Sequence, residues 1–246
     1  MGIESILNLY ERKLGGIYDI NLQGRENLQS GKVLYAAAHH HHFDTLMVAY
    51  TICREANTHV HYLAKSSLFE LPILGKLLEE AEGIPIIRPY KQKKHEDGTI
   101  ERIPNPKLAK KFMDNYKVLK QRVMEIYGRN EPIAFALAGT RTHGDREDEF
   151  KYLENGEIKE SPKTLISLLT PIKDIDIIPV NVDVHEDDSD SHFADGMKAL
   201  LGIRKKQKIP VDISIGEPIH IGTYLKNHTK EELAREVRDR YWELKK

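Results

Sequence analysis

Four consecutive histidines and an aspartate, His39-His40-His41-His42-Phe43-Asp44, follow directly on the short apolar run Lys32 to Ala38. An imidazole with a carboxylate behind it makes a general base and the group that orients it. His39 and Asp44 are five positions apart. On an unbroken helix that offset turns one side chain about 140° from the other, so the two meet only where the chain changes structure between them. A strand ending before His39 and a helix beginning at Asp44 supply that change. Asp44 also has a plainer reading as the cap of the following helix. That reading accounts for the carboxylate but not for the histidines.

The same run admits a metal reading. His40-x-His42-x-Asp44 supplies imidazoles and a carboxylate, the donors that zinc and iron take. It matches most of the H-x-H-x-D-H pattern of metallo-β-lactamase-like hydrolases, with Thr45 where the last histidine would stand. The histidines at 59, 61, 95, 143, 185, 192, 220 and 228 show no ligand spacing.

Two further places bring a cation to the end of an apolar run. Phe135-Ala136-Leu137-Ala138 leads into Gly139-Thr140-Arg141, a turn able to offer backbone N–H groups and a guanidinium to an anion. Gly139-x4-Gly144 resembles a phosphate loop only superficially, because Asp145 stands where the lysine is needed, and this excludes a nucleoside triphosphate site. Arg88 follows Gly83 to Ile87, and Lys65 follows His61 to Ala64. The plain alternatives are a turn glycine at 139, a surface ion pair for Arg141, and solvated side chains for Arg88 and Lys65.

These residues need a framework of strands and helices. Apolar runs at 17–22, 32–38, 59–64, 84–87, 133–137, 175–184 and 210–215 read as strands, and helical spacing marks 3–14, 45–54, 71–80, 107–127, 163–169 and 230–244. The alternation predicts an α/β fold, a mixed and mainly parallel sheet flanked by helices. We read residues 1–246 as a single domain, with an N-terminal amphipathic helix over 1–15, a basic loop over 89–106 and an acidic loop over 145–160. Lys+Arg 37 against Asp+Glu 38 excludes the global basic field of a nucleic-acid binder. An apolar content of 40% excludes a disordered chain. Cys53 is the single cysteine, so no internal disulfide forms and the chain suits a reducing compartment. Charges inside 1–15 make that stretch neither a signal peptide nor a spanning helix.

In chain order the sequence presents His39-x4-Asp44, Lys65, Gly83-Ile84-Pro85-Ile86-Ile87-Arg88, Gly139-Thr140-Arg141 and Ile177-Ile178-Pro179-Val180. This ordered set resembles the glycerolipid acyltransferase superfamily, which holds the 1-acyl-glycerol-3-phosphate and glycerol-3-phosphate acyltransferases. The likeness runs from the lead-in Leu22 to Leu28 to a closing strand over Val211 to Ile219. It implies an acyltransferase-like fold and an O-acyltransferase of phospholipid biosynthesis. The acyl donor would be acyl-CoA or acyl carrier protein, acting as co-substrate. The acceptor would be a phosphate-bearing glycerol or lysolipid, lysophosphatidate first and glycerol-3-phosphate second. No cofactor, metal or nucleic acid is implied. By motif position His39 would be the base and Asp44 its orienter, while Lys65, Arg88, Gly139, Thr140 and Arg141 would cradle the acceptor phosphate.

The third motif of the family usually reads F-P-E-G-T-R, and Leu137 and Ala138 replace its Pro and Glu here. Ala38 stands where an asparagine usually precedes the motif histidine. Soluble plastid-type glycerol-3-phosphate acyltransferases also lack that Glu. Other classes remain open on residues alone: a metal-dependent hydrolase using the histidine cluster, and a catalytically degenerate lipid-binding protein. The resemblance implies a cytoplasmic protein, peripheral on the inner face of a membrane. Its contacts with an anionic membrane surface would be residues 3–14 and the stretch Arg88 to Lys111, whose eight Lys/Arg and three Asp/Glu leave a net charge of +5.

Overall fold

Val33, Leu34, Tyr35, Ala36 and Ala37 are buried one after another, and alternate residues serve different cores. Val33, Tyr35 and Ala37 join one apolar cluster, while Leu34 and Ala36 join the other. A strand that is apolar on both faces must be covered on both. The computed structural model describes residues 3–13, 18–37, 44–72, 74–95, 100–136, 151–154, 157–160, 174–185 and 208–245. In chain order its elements are α1 (Ile3–Lys13), β1 (Tyr18–Gln23), β2 (Val33–Ala37), α2 (Asp44–Ala56), β3 (His61–Lys65), α3 (Leu74–Glu80) and β4 (Ile84–Ile86). There follow β5 (Tyr90–Lys94), β6 (Ile100–Pro104), α4 (Pro106–Gly128), β7 (Ile133–Ala136), β8 (Lys151–Glu154), β9 (Glu157–Glu160) and β10 (Asp176–Val184). The chain closes with β11 (Ile209–Ile215), β12 (Ile219–His220), α5 (Ile221–Tyr224) and α6 (Lys230–Glu243).

The main sheet has the order β1-β11-β10-β2-β7-β3-β4, with β12 on β10. From β10 to β4 the five neighbouring strands run parallel. β11 is antiparallel to β10 and parallel to β1. Residues of α1, α2 and α3 cover one face, and residues of α4, α5 and α6 cover the other. This is the mixed, mainly parallel α/β architecture expected. Pro179 lies in β10 where β11 leaves and β12 begins, so its missing N–H interrupts neither antiparallel ladder. Gly24, with φ +70°, closes β1 against Ile215, whose carbonyl oxygen would lie 2.1 Å from any added Cβ.

Three details differ from the sequence reading. The basic loop over 89–106 is instead the antiparallel hairpin β5–β6, with Gln92 opposite Arg102 and Tyr90 opposite Pro104. It continues through β8 and β9, inside the stretch read as an acidic loop, into a second four-stranded sheet. Its charges hid it, because strands with few apolar residues leave little periodic signal. α4 runs one residue beyond the predicted stretch at each end, from Pro106 to Gly128, and Asn130 beyond it takes φ 59°, a conformation that asparagine tolerates. Finally, Tyr10 of α1 is fully buried against Tyr50 of α2, ring centroids 5.9 Å apart, and Leu7 packs on the same cluster. The described part of the apolar face of α1 thus turns to the core and not to a bilayer. The helix expected over 163–169 lies outside the described residues.

Candidate active site

In sheets of this kind, sites form beyond the carboxyl ends of the parallel strands. β2, β7, β3 and β4 are consecutive neighbours and parallel, so their exits share one edge. Asp44 is the first residue of α2, after the exit of β2, and it is 0% exposed. A carboxylate at a helix N-terminus meets the positive end of the helix dipole. Lys65 ends β3 and is exposed. Arg88 stands two residues past β4. His39 to His42 lie outside the described residues, as do Gly139, Thr140 and Arg141, which follow β7 by a few positions.

Arg88 is half-buried, and its Nη1 donates to Gln92 Oε1 at 2.8 Å. Gln92 faces Arg102 across the hairpin, and the Arg102 guanidinium lies 4.8 Å from the Tyr90 ring centroid. Arg102 is only 7% exposed. Burial lowers the pKa of Arg88 below the ordinary arginine value, Tyr90 works against it, and the positive charge of Arg102 adds a smaller lowering. Sequence reading missed Arg102, because nothing in its neighbourhood marks it until the hairpin register sets it beside Gln92.

The opposite edge holds a second cluster of titratable groups. His59, His61 and Glu131 offer ligand atoms within 4.8 Å of one another, one such group among the described residues. Glu131 is 70 positions from His61, so spacing along the chain could not reveal it. Two imidazoles and a carboxylate are a zinc-type donor set. Arg129 already occupies that place: its Nε donates to Glu131 Oε2 at 2.7 Å, and its Nη2 lies 3.1 Å from His61 Nε2. Adding a divalent cation beside a fixed guanidinium is electrostatically unfavourable, so the donor set does not fit a metal. The group instead ties the entries of β3, β4 and β7 together, with His61 Nδ1 3.1 Å from the Glu82 carbonyl and His61 Nε2 2.8 Å from Glu131. Burial lowers the pKa of His59, and the neighbouring His61 adds to this. Burial would raise that of Glu131, but hydrogen bonds from His61 and Arg129 outweigh it and lower it.

The family model described as Acyltransferase matches residues 19–183, from β1 through most of β10. The chain belongs to the acyltransferase family. No curated protein matches it. Among solved structures, the 1-acyl-sn-glycerophosphate (LPA) acyltransferase PlsC of Thermotoga maritima has a similar fold. Its TM-score is 0.54 at 13% identity, over 99% of this chain and 78% of that one. The expectation of an O-acyltransferase of this superfamily holds, as does that of its α/β fold. The matched region of this acyltransferase contains every residue assigned by motif position, from His39 to Arg141. It also contains the hairpin with Arg102.

Proposed function

We propose that this acyltransferase moves a fatty acyl group from the thioester of acyl-CoA or acyl carrier protein to the free hydroxyl of 1-acyl-glycerol-3-phosphate. The observation that carries the reading is Asp44, a fully buried carboxylate at the exit of the central strand β2. A carboxylate is costly to bury unless a proton donor faces it. His39, five positions earlier, is the donor the motif supplies. Asp44 holds the imidazole in one tautomer, and the other ring nitrogen takes the acceptor hydroxyl proton. The freed oxygen attacks the thioester carbonyl, so a C–O bond forms and the C–S bond breaks. The leaving thiolate receives the proton from His39, and no acyl-enzyme forms. Arg88, Arg141, Lys65, Thr140 and the Gly139 N–H hold the acceptor phosphate.

A second reading, glycerol-3-phosphate as acceptor, is favoured by Ala138 in place of the motif glutamate. Lipid mass spectrometry after incubation with either donor and each acceptor separates the two. Phosphatidate from 1-acyl-glycerol-3-phosphate supports the first, and lysophosphatidate formed from glycerol-3-phosphate alone supports the second. Free fatty acid released only with bound metal would support a hydrolase instead.

The protein works in this reading from the cytoplasmic side, on an anionic bilayer surface. No helix among the described residues is long and apolar enough to cross a membrane. The hairpin and α4 present Ile103, Met113, Val118 and Met124 at 42–64% exposure among exposed Lys91, Lys93, Lys110, Lys117 and Lys120. Each lysine near an anionic leaflet contributes about 1 kcal/mol, screened by salt. Flotation with phosphatidylserine vesicles at low salt should carry the protein upward. The combined Lys91→Glu, Lys93→Glu and Lys94→Glu change should leave most of it below. Wild-type protein that stays at the bottom would remove the membrane surface from the reading.

A further inference from the structure

We propose that Asn181, Ser214 and Gln23 form a neutral rail for the pantetheine arm of the acyl donor, the part that acyl-CoA and acyl carrier protein share. The inference rests on the proposed reading, in which a thioester of that arm gives up its acyl group at the exit of β2. It adds residues to which no motif assigns a role. β10 runs parallel to β2 with Val180 opposite Ala37, the last residue of β2. Asn181 therefore stands one position past that exit, on the rim where substrates gather in such sheets. Ser214 of β11 is opposite Asn181, and Gln23 of β1 is opposite Ser214. Paired positions share a face, so the three line up across three strands, about 5 Å from one strand to the next. Val180, Val182, Ile213 and Ile215, beside them along the strands, join the cluster that α1 and α2 cover. The row lies on the opposite face.

Burial is graded along the row, with Gln23 exposed, Ser214 half-buried and Asn181 only 5% exposed. The row thus leads from solvent inward to the exit of β2. Asn181 Oδ1 has no hydrogen-bond partner among the described residues. An unpaired buried carbonyl is unfavourable, and a ligand that brings an N–H or O–H relieves it. The next row along the same face is already satisfied and is negatively charged. There Asp212 accepts from Asn21 Nδ2 at 2.8 Å, lies 2.6 Å from His185 Nε2 and stands opposite Asp183. Hydrogen bonds with Asn21 and then His185 hold the Asp212 carboxyl below its ordinary value. Carboxylates one row away repel a phosphate, so this face suits neither the acceptor headgroup nor the phosphates of CoA. It suits an uncharged chain of hydrogen-bond donors and acceptors. The pantetheine arm is such a chain, with two amides and a hydroxyl. The amide nearer the thioester donates its N–H to Asn181 Oδ1, and Ser214 and Gln23 meet the polar groups further out.

Steady-state kinetics on a series of donors test this. With acyl-CoA varied, Asn181→Ala should raise the donor KM roughly five- to tenfold, the worth of one hydrogen bond, and leave the acceptor KM unchanged. Ser214→Ala, at the half-buried position, should raise it about two- to threefold. Where only one of acyl-CoA and acyl carrier protein is turned over, the rise appears with that one. The deciding donor is the acyl thioester of 2-mercaptoethanol, which has no amide. On it wild type and both variants should give the same kcat/KM, whereas a loosened sheet would slow every donor alike. Calorimetric titration with CoA reads the same contact without turnover, and Asn181→Ala should weaken its Kd by the same factor.

Donor constants that match wild type in both variants, or a loss that persists on the amide-free thioester, would overturn the rail and leave the transfer reading intact. A raised acceptor KM would give the row to the acceptor and overturn it too. If wild type transfers no acyl group from either donor, the reading beneath fails, and the titration decides the rail: a CoA Kd equal in wild type and Asn181→Ala overturns it.

Discussion

The entries and exits of β3, β4 and β7 are charged in opposite styles. At the entries, His61, Glu82, Arg129 and Glu131 satisfy one another, His59 stacks on His61 and faces the Ala81 carbonyl, and Arg122 adds a contact to Glu82 at 3.4 Å. At the exits, a buried carboxylate, Asp44, lies on the β2 side of the edge. Two neighbouring arginines, Arg88 and Arg102, lie on the β4 side. At the entries the charges are already paired with one another, while the exits carry the residues that the ordered motifs name. Sequence-level inspection would rank the two edges the other way, because paired histidines look more like a site than an arginine on a hairpin does.

The contrast breaks most sharply at Asp44. Asp44→Asn should cost roughly ten-thousand-fold in kcat, the loss expected when a base keeps its place but loses its orienter. His39→Ala should be at least as severe, while His40→Ala, His41→Ala and His42→Ala keep most of the rate. A dead His40→Ala beside an active His39→Ala would move the base. All five proteins should melt together with wild type, since the losses are chemical.

Next come the phosphate contacts. Arg88→Ala and Arg141→Ala should each raise the acceptor KM roughly ten- to hundredfold, and lysine should restore only part, because it lacks the planar fork. Unchanged acceptor kinetics in both would leave the exit edge without its ligand.

The entry edge should respond in the other currency. Glu131→Gln should lower stability by about 1–2 kcal/mol, seen as a fall of roughly 2–4 °C in Tm per kcal/mol for a chain of this size. Its kcat and KM should match wild type. A KM change would mean that the two edges are coupled.

The smallest effect is the pH dependence of that same cluster. The folded pKa of His59 lies below its ordinary 6.5 and that of Glu131 below its ordinary 4.5. Each then contributes stability that is complete above its ordinary value and is lost as pH falls through the folded one. Tm should hold steady above about pH 7, decline below the histidine value and decline again below the carboxylate value. The second decline should shrink in Glu131→Gln.

Much of the exit edge was legible because parallel strands buried on both faces read as unbroken apolar runs. Val33–Ala37, Ile133–Ala136 and Ile177–Val180 stood out for that reason, and each led straight to polar residues. The ordered motifs then named His39, Asp44, Arg88 and Arg141. Arg102 was illegible, since its place depends on a hairpin whose strands carry Lys91, Lys93 and Glu101 where apolar alternation would announce a strand. The His59–His61–Glu131 group was hidden by chain distance and appears only once β3 and β7 pair. Tyr10 shows a third limit: an amphipathic helix declares that it has an apolar face, not what covers it.

Direct transfer governed by the His39–Asp44 pair can be followed in a single-turnover experiment. Enzyme in excess over radiolabelled acyl-CoA is mixed with 1-acyl-glycerol-3-phosphate, quenched over time and resolved into protein-bound, free-acid and phosphatidate label. Label should pass from acyl-CoA to phosphatidate with no protein-bound stage, and Asp44→Asn should slow this step by the same large factor as kcat. Label accumulating on the protein, or an Asp44→Asn time course that overlays wild type, would contradict it.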